Sequence, residues 1–195
     1  SRVEIAKKRL SSILEFHKDR VLERQGEVLL HHACRTYLLG AALVPDSVFR
    51  DVNQEAAAIA ALAHDDGMVN PSAPGICFTA DSAKEVEMMM AQSASPIHLV
   101  HEARAAVIAH FQPKLPSFAS ATAKLVAVGA SADVMGVGLR KLSPSLREEL
   151  WQEWPDMGFI PEVRGLLKVE RSRAPLTRPG VLSISGMPYL LRSSK

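Results

Sequence analysis

The sequence predicts an all-α domain, and three observations carry that expectation. Alanine, leucine, glutamate and methionine dominate, while aromatic residues make up only 5%. No long stretch alternates apolar and polar residues as a half-buried strand would. Serine, asparagine, proline and glycine fall where helices start and stop. With 195 residues, 47% of them apolar and 23% charged, the chain suits one domain that can bury a core without disulfides or metals as staples.

The elements follow in order. Val3, Ala6, Leu10, Ile13, Leu14, Val21 and Leu22 recur at helical spacing in a first segment that ends near Gly26. A second helix, from about Glu27 to Leu43, stops at Val44-Pro45-Asp46. Asn53 caps a third, with Glu55 in its first turn and Gly67 as its stop. Its alanines (Ala56, Ala57, Ala60, Ala61 and Ala63) suit close packing in the interior. Pro71, Pro74 and Gly75 make a loop before a short helix over Ser82–Gln92. Ser95-Pro96 reads as a cap followed by proline at the first helical position, opening a helix to about Phe111. Pro113 and Pro116 break the chain before a helix from about Ser117 to Met135. Ser143-Pro144 repeats the cap signal for a helix through Trp151, and Pro161 opens one more through Glu170. The domain is expected over 1–170. From Arg171, three prolines, two glycines and several serines predict an irregular tail over 171–195, lying on the domain or disordered.

Composition also narrows function. With 23 basic against 21 acidic residues, the net charge of +2 leaves no nucleic-acid footprint. Cys34 and Cys77 fit no C-x-x-C or zinc spacing. No run approaches the ~18 apolar residues of a membrane span. Ser1 to Glu4 lack the apolar core of a signal peptide. The expectation is a reduced, cytoplasmic protein acting on a small molecule.

Four polar residues stand where the pattern would otherwise be apolar: His32, mid-helix among leucines; His64 and Asp65, adjacent at a helix end; and Asp133, within an uncharged stretch from Leu125 to Gly136. A buried carboxylate without a partner must neutralise, pair or bind a cation. Two imidazoles and two carboxylates make a divalent-metal set. Adjacent helical residues point about 100° apart, so His64 and Asp65 share an ion only where the backbone relaxes. Gly129, Ala130 and Ala132 let neighbouring helices approach closely enough for the ligands to converge. Taken singly, each has a plainer reading. A lone helical histidine is more often core or surface, and Asp133 can cap a helix or pair with Arg35 or Arg140.

Taken together, the order His, His-Asp, Asp resembles the HD-domain superfamily of metal-dependent hydrolases, and within it the cyanamide hydratase group. His32, Arg35, Tyr37 and Gly40 match H-x-x-R-x-Y/F-x-x-G; Leu62, His64, Asp65 and Gly67 match L-x-H-D-x-G. Phe78 and Ala83 fall in an F-E-x-x-G region, Ala105 to His110 match A-I-x-x-H, and Asp133 and Gly136 match D-x-x-G. The resemblance spans roughly Glu27 to Pro155. Thr79 stands where the group has glutamate, Ser82 where it has glycine, and Asp66 where it has an apolar residue, and Thr79 and Asp66 fall near the expected substrate position.

The resemblance implies one divalent ion held by His32, His64, Asp65 and Asp133, zinc first, with iron(II) or manganese(II) as alternatives. It implies hydration of a small nitrile-type substrate, cyanamide to urea, by a metal-bound hydroxide, with His110 or Asp65 relaying the proton and Arg35 orienting the site. A short linear substrate implies a narrow, largely apolar pocket. The alternative is an HD-type phosphohydrolase, with Arg35, Lys84 or Arg104 facing a phosphate. No glycine-rich phosphate loop appears. A non-catalytic module would not need an intact ligand set, and a di-iron oxygenase would need further ligands. His101 and His110, nine residues apart, lie about 900° round a helix and so on opposite faces. His110 is the one expected at the site, while His31, His98 and His101 are expected to be structural or at the surface. Met88, Met89 and Met90 are expected to fill the core.

Overall fold

A break divides the longest element. Helix α1 (Arg2–Leu43) holds Gly26 at φ 81°, ψ 173°, a left-handed conformation that glycine adopts without steric cost. Two helices therefore join end to end where the sequence places the boundary. The computed structural model describes residues 1–184 and 191–192, and these are helical and irregular, with no strand among them. After α1 come α2 (Asp46–Asp51), α3 (Gln54–Ala63), α4 (Asp66–Val69), α5 (Phe78–Gln92), α6 (Ile97–His110), α7 (Ala121–Met135), a 3₁₀ turn (Leu139–Lys141), α8 (Pro144–Glu153), α9 (Phe159–Arg173) and α10 (Arg178–Ile184).

Several caps sit where expected. The Asn53 side chain accepts from the Ala56 N–H, and the Ser143 hydroxyl accepts from the Leu146 N–H with Pro144 opening α8. Others shift. Pro96, not Ser95, is the N-cap of α6, because the Ser95 hydroxyl donates to Glu55 instead (2.5 Å). Helix α7 starts after Ser120, whose side chain accepts from the Ala123 N–H.

α3 lies in the interior: every residue from Ala56 to Ala63 is buried, against α1, α5, α6 and α7. Helix α7 crosses α1 at very short range. A Cβ on Gly129 would lie 1.8 Å from the Thr36 carbonyl oxygen, and one on Gly40 would lie 2.4 Å from that of Leu125. This contact carries Asp133 to α1. Met89 and Met90 fill the core as expected, but Met88 is exposed.

The 170 boundary falls inside α9. Glu170 is buried, accepts from the Phe78 N–H and pairs with Arg173, which also donates to the Ile76 carbonyl. These bonds keep the chain helical to Arg173. Part of the expected irregular tail is the helix α10, and Leu191 packs in an apolar cluster with Phe159, Val163 and Leu167. Residues 185–190 and 193–195 lie outside the described residues. Cys34 is buried, Cys77 half-buried, and neither is in a disulfide. No helix among the described residues is long and apolar enough to cross a membrane.

Candidate metal centre

The backbone breaks where the His-Asp doublet needs it to. Helix α3 ends at Ala63, and Asp65 takes φ −105°, ψ 0° before α4 begins. Both side chains turn toward one point, an arrangement denied to adjacent residues within a regular helix. Gly67 is not the stop; it lies inside α4, where a Cβ would sit 2.1 Å from the Phe78 carbonyl oxygen. His32 comes from the second half of α1 and His110 from the last position of α6, opposite the exposed His98 and His101.

The hydrogen bonds decide which nitrogen each histidine presents. His32 Nδ1 donates to Asp133 Oδ2 (2.7 Å), His64 Nδ1 to the Ala61 carbonyl (2.6 Å), and His110 Nδ1 to the Val107 carbonyl. In its neutral form each ring then presents a bare Nε2. His32 Nε2 lies 3.0 Å from His64 Nε2 and 3.2 Å from Asp65 Oδ2, and His64 Nε2 lies 3.3 Å from that same oxygen. His110 Nε2 is 3.9 Å from Asp65 Oδ1. Three buried groups with electron pairs to offer converge, and the space between them suits a proton on His32 or a metal cation. His32, His64 and Asp65 could thus hold a metal ion, their ligand atoms lying within 4.8 Å of one another. Each ring donates its other N–H to a carboxylate or carbonyl, as metal-binding histidines do.

Electrostatics agree with this reading. Burial pushes the His64 pKa down to about 3 and also lowers that of His110, so both rings are neutral at pH 7. Burial opposes charge on His32 as well, but the bonds to Asp133 and Asp65 outweigh it and raise its pKa. A cation is favoured at that nitrogen, and proton and metal compete for it. The ring is also held by Phe159, stacked with centroids 4.1 Å apart and planes 14° apart.

Asp133, expected as the fourth ligand, does not join the group. Its carboxylate is spent elsewhere: Arg35 binds it through two N–H groups, each at 2.8 Å, and His32 Nδ1 takes Oδ2. Burial would raise its pKa, but the His32 bond and the Arg35 charge hold the carboxyl well below the usual range. Asp133 thus stands behind His32, fixing its tautomer and aim. Arg35 is likewise committed, donating also to the carbonyls of Trp154 (2.8 Å) and Pro155 (2.9 Å), so it does not face a substrate. Arg192 donates to the Asp133 carbonyl and pairs with Asp156, tying the C-terminal segment to the centre. His31 accompanies this layer through Pro155, its Nδ1 lying 3.1 Å from that carbonyl.

His32, His64, Asp65 and His110 line a cavity of about 350 Å³. Its walls include Met68, Val134, Met135, Val163, Leu167 and Leu182, and no lysine or arginine among the described residues lines it. Its lining is largely apolar, and its volume exceeds that of the small pocket expected for a short linear substrate. Lys84 and Arg104 pair at the surface with Asp81 (3.3 Å) and Glu87 (2.9 Å). Asp66, Thr79 and Ser82 do not line this cavity. Asp66 is bound by Arg24 through two N–H groups (2.9 and 2.7 Å), the Ser82 hydroxyl accepts from the Gly67 N–H (2.9 Å), and Thr79 meets Cys77 (3.1 Å).

Phe159, Arg192 and the cavity walls from α9 and α10 were not legible in the sequence. Phe159 opens an otherwise ordinary amphipathic helix, and only its stacking on His32 marks it. No family model matches the chain, and no curated protein is significantly similar to it.

Proposed function

We propose that the protein is a metal-dependent hydratase that adds water to a small nitrile-type substrate, with cyanamide to urea as the simplest case. One observation carries the reading: the convergent donors of His32, His64 and Asp65 open into an apolar cavity that no cation among the described residues lines. A phosphate ester needs positive charge beside its oxygens. Arg35, the best cationic candidate in the sequence, is spent on Asp133. A neutral, short C≡N group needs no such partner.

Zinc suits the nitrogen and oxygen donors, with iron(II) or manganese(II) as alternatives. Held by His32 Nε2, His64 Nε2 and Asp65 Oδ2, the ion would supply Lewis acidity that lowers the pKa of a water at the site. The protein's own groups do the rest. Asp133 and Phe159 hold His32 in place, and Ala61 holds His64. His110, neutral because it is buried, has its Nε2 bare on the cavity side. It takes a proton from the attacking water as the oxygen bonds to the nitrile carbon, then returns it to the nitrogen. The apolar wall limits competing water.

The first test is elemental analysis of the purified or reconstituted protein, which should find about one divalent ion per chain. His64→Ala should lose it. Turnover of cyanamide above a metal-free control, with none of p-nitrophenyl phosphate, supports the hydratase, and the opposite pattern defeats it. His110→Ala should keep the metal and lose roughly 10²–10⁴ in kcat, the usual worth of a positioned acid–base group.

A further inference from the structure

The cavity is far larger than cyanamide requires. At about 350 Å³ it has room for roughly ten water-sized groups, while H₂N–C≡N has three heavy atoms. The cavity's ionisable groups, His32, His64, Asp65 and His110, cluster together, and the rest of the lining is mainly apolar, including Met68, Met135, Val163 and Leu167, with Gln112 and Ser131 the other polar side chains. Such a shape is matched by a ligand with a short polar head and an apolar body.

We propose that the substrate is an N-substituted cyanamide, R–NH–C≡N, whose apolar substituent R of about six carbons fills the space between α7, α9 and α10. This rests on the hydratase reading above and names its substrate class. The head sits at the ligands, and the body displaces water from the Met, Val and Leu wall. An anionic R is disfavoured, because no lysine or arginine among the described residues lines the cavity to receive one. The two methionines make that wall adaptable, so R is selected by apolarity and length more than by shape. The reaction balances without a co-reactant. The water oxygen bonds to the nitrile carbon, two hydrogens reach the terminal nitrogen as the C–N π bonds are lost and a C=O forms, and R–NH–CO–NH₂ results.

The experiment takes the zinc-reconstituted full chain through cyanamide and its N-methyl, N-butyl, N-hexyl and N-octyl derivatives, together with the corresponding ureas. Binding is read by calorimetry and hydration by product formation. Affinity for both series is expected to rise about three- to fourfold per methylene and to level off near six carbons, since each buried methylene contributes a roughly constant increment. Ala130→Phe, which projects into the cavity from α7, should abolish the dependence on chain length while zinc content is unchanged. Leu167→Ala, which enlarges the cavity, should move the plateau to longer chains, and it provides the second reading should the phenylalanine variant not fold. Flat affinity across both series, with cyanamide still hydrated, overturns the apolar-substituent assignment and leaves the hydratase standing. Chain-length-dependent binding of the ureas and cyanamides without any hydration supports the apolar pocket and overturns the hydratase instead.

Discussion

Asp133 carries the negative charge for three neighbours, holding His32 by one nitrogen, neutralising Arg35 through two and meeting Arg192 at 3.4 Å. Substitutions there separate orientation from ligation. Asp133→Asn keeps an acceptor for His32 and should weaken metal affinity by about 10–100-fold, the usual cost of losing such support. Complete loss of metal at saturating zinc would make Asp133 a direct ligand. Asp133→Ala should also strand the fully buried Arg35 charge and destabilise the fold by about 3–5 kcal/mol, measurable by urea unfolding. A second residue-scale prediction concerns His17, which is buried with no hydrogen-bond partner for either ring nitrogen. Burial, aided by the charge on Arg20 and opposed by Glu85, Glu55 and the nearby Gln92 side chain, lowers its pKa from 6.5. The folded state therefore prefers the neutral ring. That contribution is fully present above pH 6.5 and is lost as pH falls below it toward the depressed value. His17→Phe keeps a ring without a titrating group, so its melting temperature should fall less between pH 7 and pH 5 than that of the parent protein. Equal falls would place His17 outside the pH response.

Among the elements, the α1–α7 crossing matters most to the centre. Gly129→Ala drives a methyl group to 1.8 Å from the Thr36 carbonyl, which belongs to rigid helix backbone and cannot rotate away. The helices must part, costing about 1–3 kcal/mol and moving Asp133 away from His32. Both unfolding midpoint and zinc affinity should drop. Ser143→Ala is the contrast. It removes an exposed cap from α8, which leaves the site alone, and should cost about 1 kcal/mol with zinc affinity unchanged. A Gly129→Ala protein with parental zinc affinity would uncouple the crossing from the centre. The doublet depends on its elements in a similar way. The gap between α3 and α4 turns His64 and Asp65 together, and Arg24 holds Asp66 outward on the far side (2.7 Å).

For the molecule as a whole, a metal bound to the folded chain and not to the unfolded one stabilises by mass action. At free zinc about 100 times its dissociation constant the gain is about 2.7 kcal/mol. For a domain of this size that corresponds to a melting temperature lower by roughly 5–10 °C after chelation, restored by adding zinc back. Scanning calorimetry of the native, chelated and reconstituted forms checks it. An unchanged melting temperature would mean that the His32–His64–Asp65 group holds no ion in solution.

The all-helical architecture was legible in the sequence because it follows from local rules. Asn53 and Ser143 cap whatever fold surrounds them, Gly26 permits a break anywhere, and the alanines of α3 read as interior from composition alone. The convergence of His32, His64 and Asp65 was legible too, since each is a polar residue in an apolar stretch that a folded core must reconcile. The division of labour within that set belongs to the tertiary structure. Whether Asp133 binds a cation or holds His32 depends on where Arg35 points, across the close crossing of α1 and α7. The size of the cavity depends on α9 and α10 closing over α4 and α7, through contacts among ordinary apolar residues that no spacing in the sequence marks. Hydrogen-bond direction and enclosed volume arise from distances between segments far apart in the chain, and those distances exist only once it has folded.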